Sequence, residues 1–86
     1  MEENLVYIGE KSFPVYERII LQKLSQNREV ILKTRGKFIY NLVRIVSILQ
    51  KENKVSIKRV EISGSDFKKE DKTYYVPSIE VTLIKK

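Results

Sequence analysis

Val30-Ile31-Leu32-Lys33-Thr34-Arg35-Gly36-Lys37-Phe38 joins a short apolar run to a helical pattern, and its reading decides the fold. Glu29 to Lys33 reads as a strand, and apolar residues recur at helical spacing from Phe38 onward. Three cations and a glycine stand at the junction. A helix start carries backbone N–H groups that no helical carbonyl accepts, and its dipole favours an anion. The glycine lets backbone come close, and long Arg and Lys side chains can close around the same anion. Lys33, Arg35, Gly36 and Lys37 therefore form a candidate phosphate site, weighed against an ordinary solvated basic loop.

Toward the N-terminus, Leu5 to Ile8 is an apolar run stopped by Gly9 and reads as a first strand. Ser12 is a candidate cap and Pro14 falls in a first helical turn, where a missing N–H costs nothing. Tyr16, Ile19, Ile20 and Leu24 then place a helix over residues 13 to 25. Toward the C-terminus, a second helix is expected from Phe38 to Lys51. Ile39, Leu42, Val43, Val46 and Leu49 form one stripe, and Phe38, Ile45 and Ile48 form a second. One sheet covers one face of a helix, so the second stripe is expected at a subunit contact.

From Val55 the period changes to two, with a phase slip at Arg59-Val60 that predicts a bulge or strong twist. Tyr74 to Ile84 is the last strand, and Pro77 places it at an edge or a bulge. The polar run from Gly64 to Thr73 is expected to be the tip of a long hairpin. The order β-α-β-α-β-β predicts an α/β chain: a two-layer α+β sandwich with a mixed four-stranded sheet, two helices and a protruding hairpin of the last two strands. Residues 1–86 are expected to form one domain without linker or repeat.

Composition narrows the function. Among 86 residues there is no cysteine and no histidine, so disulfides, thiolate metal sites and the commonest general base are all missing. Neither an enzyme nor a metal or cofactor is expected. No apolar run approaches the roughly 20 residues of a membrane span, and the acidic start Met1-Glu2-Glu3-Asn4 is unlike a signal peptide, so a cytoplasmic protein without membrane partners is expected. The net charge is +6. Glu2, Glu3 and Glu10 lie in the first ten residues, which leaves 17 cations against 8 carboxylates in the remainder, or +9. A small body so charged attracts polyanions.

Gly9 followed by Lys11, Tyr16 in the first helix, the strand leading into Lys33-Thr34-Arg35-Gly36-Lys37, and the closing Ser78-Ile79-Glu80-Val81-Thr82-Leu83 together resemble the Alba family of archaeal nucleic-acid-binding proteins. The resemblance runs from about Leu5 to Lys85. It implies a dimer whose basic loops lie over the backbone of duplex DNA or RNA while two hairpin arms reach along the minor groove. It further implies that Lys11, Arg35 and Lys37 contact phosphate, with Lys68, Lys69 and Lys72 of the hairpin reaching further out. The implied role is a chromosome-associated architectural protein with little sequence preference, as a homodimer or a heterodimer with a paralogue. The alternatives are an RNA-binding ribonucleoprotein subunit, in which Tyr74 and Tyr75 stack on unpaired bases, weighed against ordinary cross-strand packing of those rings, and a weakly binding heterodimer partner of a more basic paralogue. The chain departs from the family pattern at three places. Glu10 stands where a second lysine is frequent; Asp66, Glu70 and Asp71 neutralise the hairpin lysines; and Gln50 to Lys54 lacks the aromatic residue through which some members join dimer to dimer.

Overall fold

The computed structural model describes residues 4–86. Its elements are β1 (Leu5–Tyr7), α1 (Phe13–Gln26), β2 (Glu29–Arg35), a 3-10 turn (Gly36–Phe38), α2 (Ile39–Lys51), β3 (Val55–Lys69) and β4 (Lys72–Lys85). The sheet order is β1-β2-β4-β3, with β1 parallel to β2 and both other pairings antiparallel. This is the mixed sheet with two helices that the sequence predicts.

Alternation along β2 sets the two faces. Val30, Leu32 and Thr34 are buried, and Leu83, Val81 and Ile79 of β4 pair with them. Tyr16, Ile20 and Leu24 of α1 and Leu42, Ile45, Val46 and Leu49 of α2 close over that face. Ile20, Leu32, Leu42, Leu49, Leu83, Val30 and Val55 are the largest side chains removed from water. Each contributes about 1.5–3 kcal/mol through burial, opposed by the entropy of ordering the chain. Among the described residues, the other face of the sheet carries no helix.

Three boundaries differ from expectation. β2 continues past Lys33 through Thr34 and Arg35, which pair with Ile79 and Ser78. Alternation continues through these polar residues because the Thr34 hydroxyl, although buried, donates to the Ile8 carbonyl at 2.7 Å. Second, β3 and β4 pair as far as Lys69 and Lys72, so the hairpin tip is only Glu70-Asp71, with Glu70 at φ 57°. The segment from Gly64 to Thr73 is polar because both its faces meet water, while its backbone is laddered on either side of that turn. Third, the bulge lies at Lys58, between the pairs Ile57–Leu83 and Arg59–Thr82. Its effect is to return Val60 and Ile62 to the face of Ile57, opposite Val81 and Ile79. Pro77 lies just past the last β2–β4 pair, Arg35–Ser78, so β4 is an edge there.

Ser12 caps α1 through its backbone carbonyl, which accepts from Val15 N at 3.2 Å and Tyr16 N at 3.3 Å; its hydroxyl makes no cap bond. α2 ends at Asn53 in the left-handed region (φ 62°), with Lys54 N donating to Leu49 O at 3.0 Å. Asn does there what glycine does at most such ends. Among the described residues no helix is long and apolar enough to cross a membrane.

Candidate nucleic-acid interface

β1 and β2 run parallel, so their C-terminal ends share one end of the sheet, and the basic residues gather there. Ile8 N donates to Lys33 O at 2.9 Å, which carries the chain past β2 into the loop Gly9-Glu10-Lys11-Ser12. Two more side chains fix that loop. The Tyr16 hydroxyl, from α1, accepts from Gly9 N at 2.6 Å and Lys11 N at 3.2 Å. Asn41, from the first turn of α2, donates its amide to Gly9 O at 3.1 Å. With Thr34, three elements hold one short loop, and Lys11 projects from it exposed.

The second set follows β2. Lys33 and Arg35 belong to the strand and lie on the helix-free face, not in a loop at a helix start. Gly36 takes φ 64°, a left-handed conformation that turns the chain under Val76 and into the 3-10 turn. Lys37 is exposed there, with Nζ 5.3 Å from the Phe38 ring centroid. Lys33 is drawn to Glu80 at 3.8 Å, which offsets its charge. Arg35 lies over the ring of Phe67, 5.3 Å from its centroid. Lys11, Arg35, Gly36 and Lys37 are thus brought to one end of the body, with Lys33 one step back.

Lys68, Lys69 and Lys72 are exposed on the arm, far along the 47 Å long axis of the molecule. Lys69 faces Lys72 directly across the ladder, and Asp66, Glu70 and Asp71 balance the three lysines. Tyr74 lies opposite Phe67 on the helix-free face. Tyr75 lies across Gly64, leaving no room for a side chain at that position.

The helix stripe expected at a subunit contact is placed differently. Ile45 is 3% exposed and belongs to the core. Ile48 is half-buried, on the flank of α2 shared with Asn41, toward β1 and α1; Phe38 is half-buried beside the end of β2. The helix period puts Val43 on the opposite flank, toward β3. Val43, 49% exposed, and Ile57, Val60 and Ile62 of β3, at 40%, 47% and 76%, are the apolar side chains left uncovered there. Helical spacing alone does not tell which flank of α2 the sheet edge occupies.

Sequence reasoning also missed the clamp of Thr34, Tyr16 and Asn41, and Phe67. The arm's register is visible in retrospect: Ser63, Ser65 and Phe67 pair with Ser78, Val76 and Tyr74. What hid it was the turn, Glu70-Asp71, which lacks the Gly or Asn that marks a two-residue hairpin loop.

Residues 4–64 match the Alba family model. The chain is 35% identical over 88 residues to the DNA/RNA-binding protein Alba of Methanococcus maripaludis, covering 96% of this chain and 99% of that one. Its fold superposes on Alba from Thermoplasma volcanium with a TM-score of 0.80 at 24% identity, over 95% of this chain and all (100%) of the other. ALBA1 from Trypanosoma brucei gives a TM-score of 0.82 at 22% identity, over 99% of this chain and 71% of the other.

Proposed function

The chain belongs to the Alba family, and from that premise we propose that it binds DNA and RNA through phosphate, as a dimer, with little sequence preference. The observation that carries the reading is the gathering of Lys11, Arg35 and Lys37 at one end of the sheet, on backbone fixed by Thr34, Tyr16 and Asn41. Charge held in place on rigid backbone meets phosphate without first being ordered, and phosphate contacts set position while carrying no base information. The role that fits is architectural: coating nucleic acid in the cytoplasm as part of the chromosome. The chain is read as having no catalytic function.

The dimer is assigned to Val43, Ile57, Val60 and Ile62, in place of the buried Ile45 and half-buried Ile48. β3 is an edge strand, and four uncovered apolar side chains beside it form a patch that a second subunit would remove from water. A two-fold dimer would also present two basic ends to one duplex, so that modest contacts add. The same edge could take a more basic paralogue in place of a second copy, which would supply the charge that Glu10 and the neutral arm withhold.

Replacing both Arg35 and Lys37 with Ala tests the site. Both side chains are exposed, so folding should hold. Affinity for every duplex sequence should fall alike, and the salt slope should shrink by about 0.9 for each contact removed. A double variant that bound duplex as tightly as the parent at roughly 0.1–0.2 M salt would sink the assignment.

A further inference from the structure

The helix-free face of the sheet is not flat. Where the arm leaves the body it encloses a hollow of about 590 Å³ between Tyr7, Lys33 and Arg35 on one side and Phe67 on the other. Its floor is Ser63, Ser65 and Ser78, small side chains that leave the sheet surface low, with the Ser63 and Ser78 hydroxyls 2.9 Å apart. Tyr7 and Phe67 are 66% and 42% exposed. Neither ring belongs to the core or to the apolar patch by β3, which lies on the opposite face of the sheet.

We propose that this hollow seats one unpaired base of a single-stranded nucleic acid, stacked on Phe67. The inference rests on the nucleic-acid reading above and adds to it a second mode, for single strands. The Arg35 guanidinium lies over the Phe67 ring at 5.3 Å in an exposed cation–π contact, and the side chain remains 42% exposed. A base stacked on an aromatic ring is worth more than such a contact. The exchange also costs the cation little, because a base arrives with its own phosphate and Arg35 can turn to it. The serine hydroxyls and the Glu80 carboxylate supply donors and acceptors for base edges without filling the space. A duplex cannot use this seat, since its bases are stacked on one another and offer only edges and phosphates. Single strand and duplex are therefore distinguished by Phe67 and not by Lys11 or Lys37.

The test compares a labelled single strand of roughly 15 nucleotides, within the span of common single-strand sites, with the duplex formed by annealing its complement. Phe67→Leu should weaken the single strand about tenfold and leave the duplex within about twofold, because Lys11, Arg35 and Lys37 remain. The chain has no tryptophan, so Phe67→Trp gives a sole reporter. It should bind the single strand as the parent does and lose fluorescence on binding it, with no quenching by duplex. Single-strand affinity unchanged in Phe67→Leu, or an unquenched Trp variant, overturns the seat while leaving the duplex site standing. Equal weakening of single strand and duplex makes Phe67 a prop for Arg35 and also overturns it. If the parent binds neither nucleic acid, the broader reading fails and takes this one with it.

Discussion

The sheet body and the arm are built from the same two strands, yet they hold together by different means. In the body, Val55 of β3 and Val81 and Leu83 of β4 are buried beneath two helices. Past Gly64 and Pro77 that cover ends, and every residue from Ser65 to Tyr75 is exposed. The arm has backbone ladder, the Phe67–Tyr74 pair, the Tyr75 ring laid over Gly64 and the Arg35 guanidinium over Phe67, and among the described residues no helix packs beneath them. A lone two-stranded ribbon is marginal in water, so the arm owes its order to the body that fixes its root. Charge divides along the same line: at the body's end Lys11, Arg35 and Lys37 outnumber Glu10, while the tip sums to zero. Affinity should therefore live in the body and reach in the arm.

The largest effect that would break this contrast lies in the core. Leu49→Ala removes a side chain that is 0% exposed and should cost about 2–5 kcal/mol, lowering the thermal midpoint by at least about 10 °C in a domain of this size. Ile45→Asp should fail to fold, because it places a carboxylate in the core. Phe67→Leu, in the arm, should shift the midpoint little. A loss under about 1 kcal/mol for Leu49→Ala, measured by urea unfolding, would mean the core is not packed as described.

Next in size is the edge of the body. Ile62→Asp alters a side chain that is 76% exposed, so the subunit should still fold. It should sediment as a monomer and bind duplex much more weakly, since one basic end then works without its copy. A variant that remained dimeric and bound as the parent does would move the interface away from β3.

How much of this was legible in the sequence follows the same division. The helices and the body strands announced themselves because burial imposes a period, and Ile20, Leu24, Leu42 and Leu49 obey it. Thr34 and Arg35 looked like loop because their pairing partners, Ile79 and Ser78, lie far away in sequence. The arm looked like a tip for a different reason: a ribbon wet on both faces has no apolar period, and only its register betrays it. The basic end was found because charge and glycine are local. The clamp was not, because Tyr16, Thr34 and Asn41 each read as something commoner, a core ring, a strand threonine and a helix-surface amide.

A smaller effect sharpens the charge half of the comparison. Replacing residues 66–75 by a two-residue Asn-Gly turn should leave the body folded, since none of those residues is buried. Duplex affinity should fall, because the arm's reach is gone, yet the salt slope should change by less than the roughly 0.9 expected for one phosphate contact. Three carboxylates among three lysines leave little net counterion release to lose. A slope reduced by two or more, in salt titrations of the shortened chain, would show that Lys68, Lys69 and Lys72 act on phosphate independently of their acidic neighbours.

The smallest expected effect is that of pH, and its sign follows from two surface pairs of the body. Lys58, the bulged residue, reaches across β4 to Glu29 at 2.7 Å and holds that carboxyl below its ordinary 4.5, chiefly through the hydrogen bond. A lowered carboxyl stabilises the fold above its ordinary value, and that contribution disappears as pH falls through the folded one. Lys54 donates to Glu17 at 2.8 Å and lies 3.2 Å from Glu52, and these bonds hold it above its ordinary 10.5. Its contribution is complete below 10.5 and is lost as pH rises through the folded value. Both windows lie outside pH 6–8, and with no histidine in the chain the thermal midpoint and duplex affinity should be level across that range while remaining steep in salt. Glu29→Gln should flatten only the acid limb, and slightly, because both pairs are exposed and screened. A midpoint that moved by more than about 2 °C between pH 6 and 8 would overturn this expectation and point to an ionising group outside these two pairs.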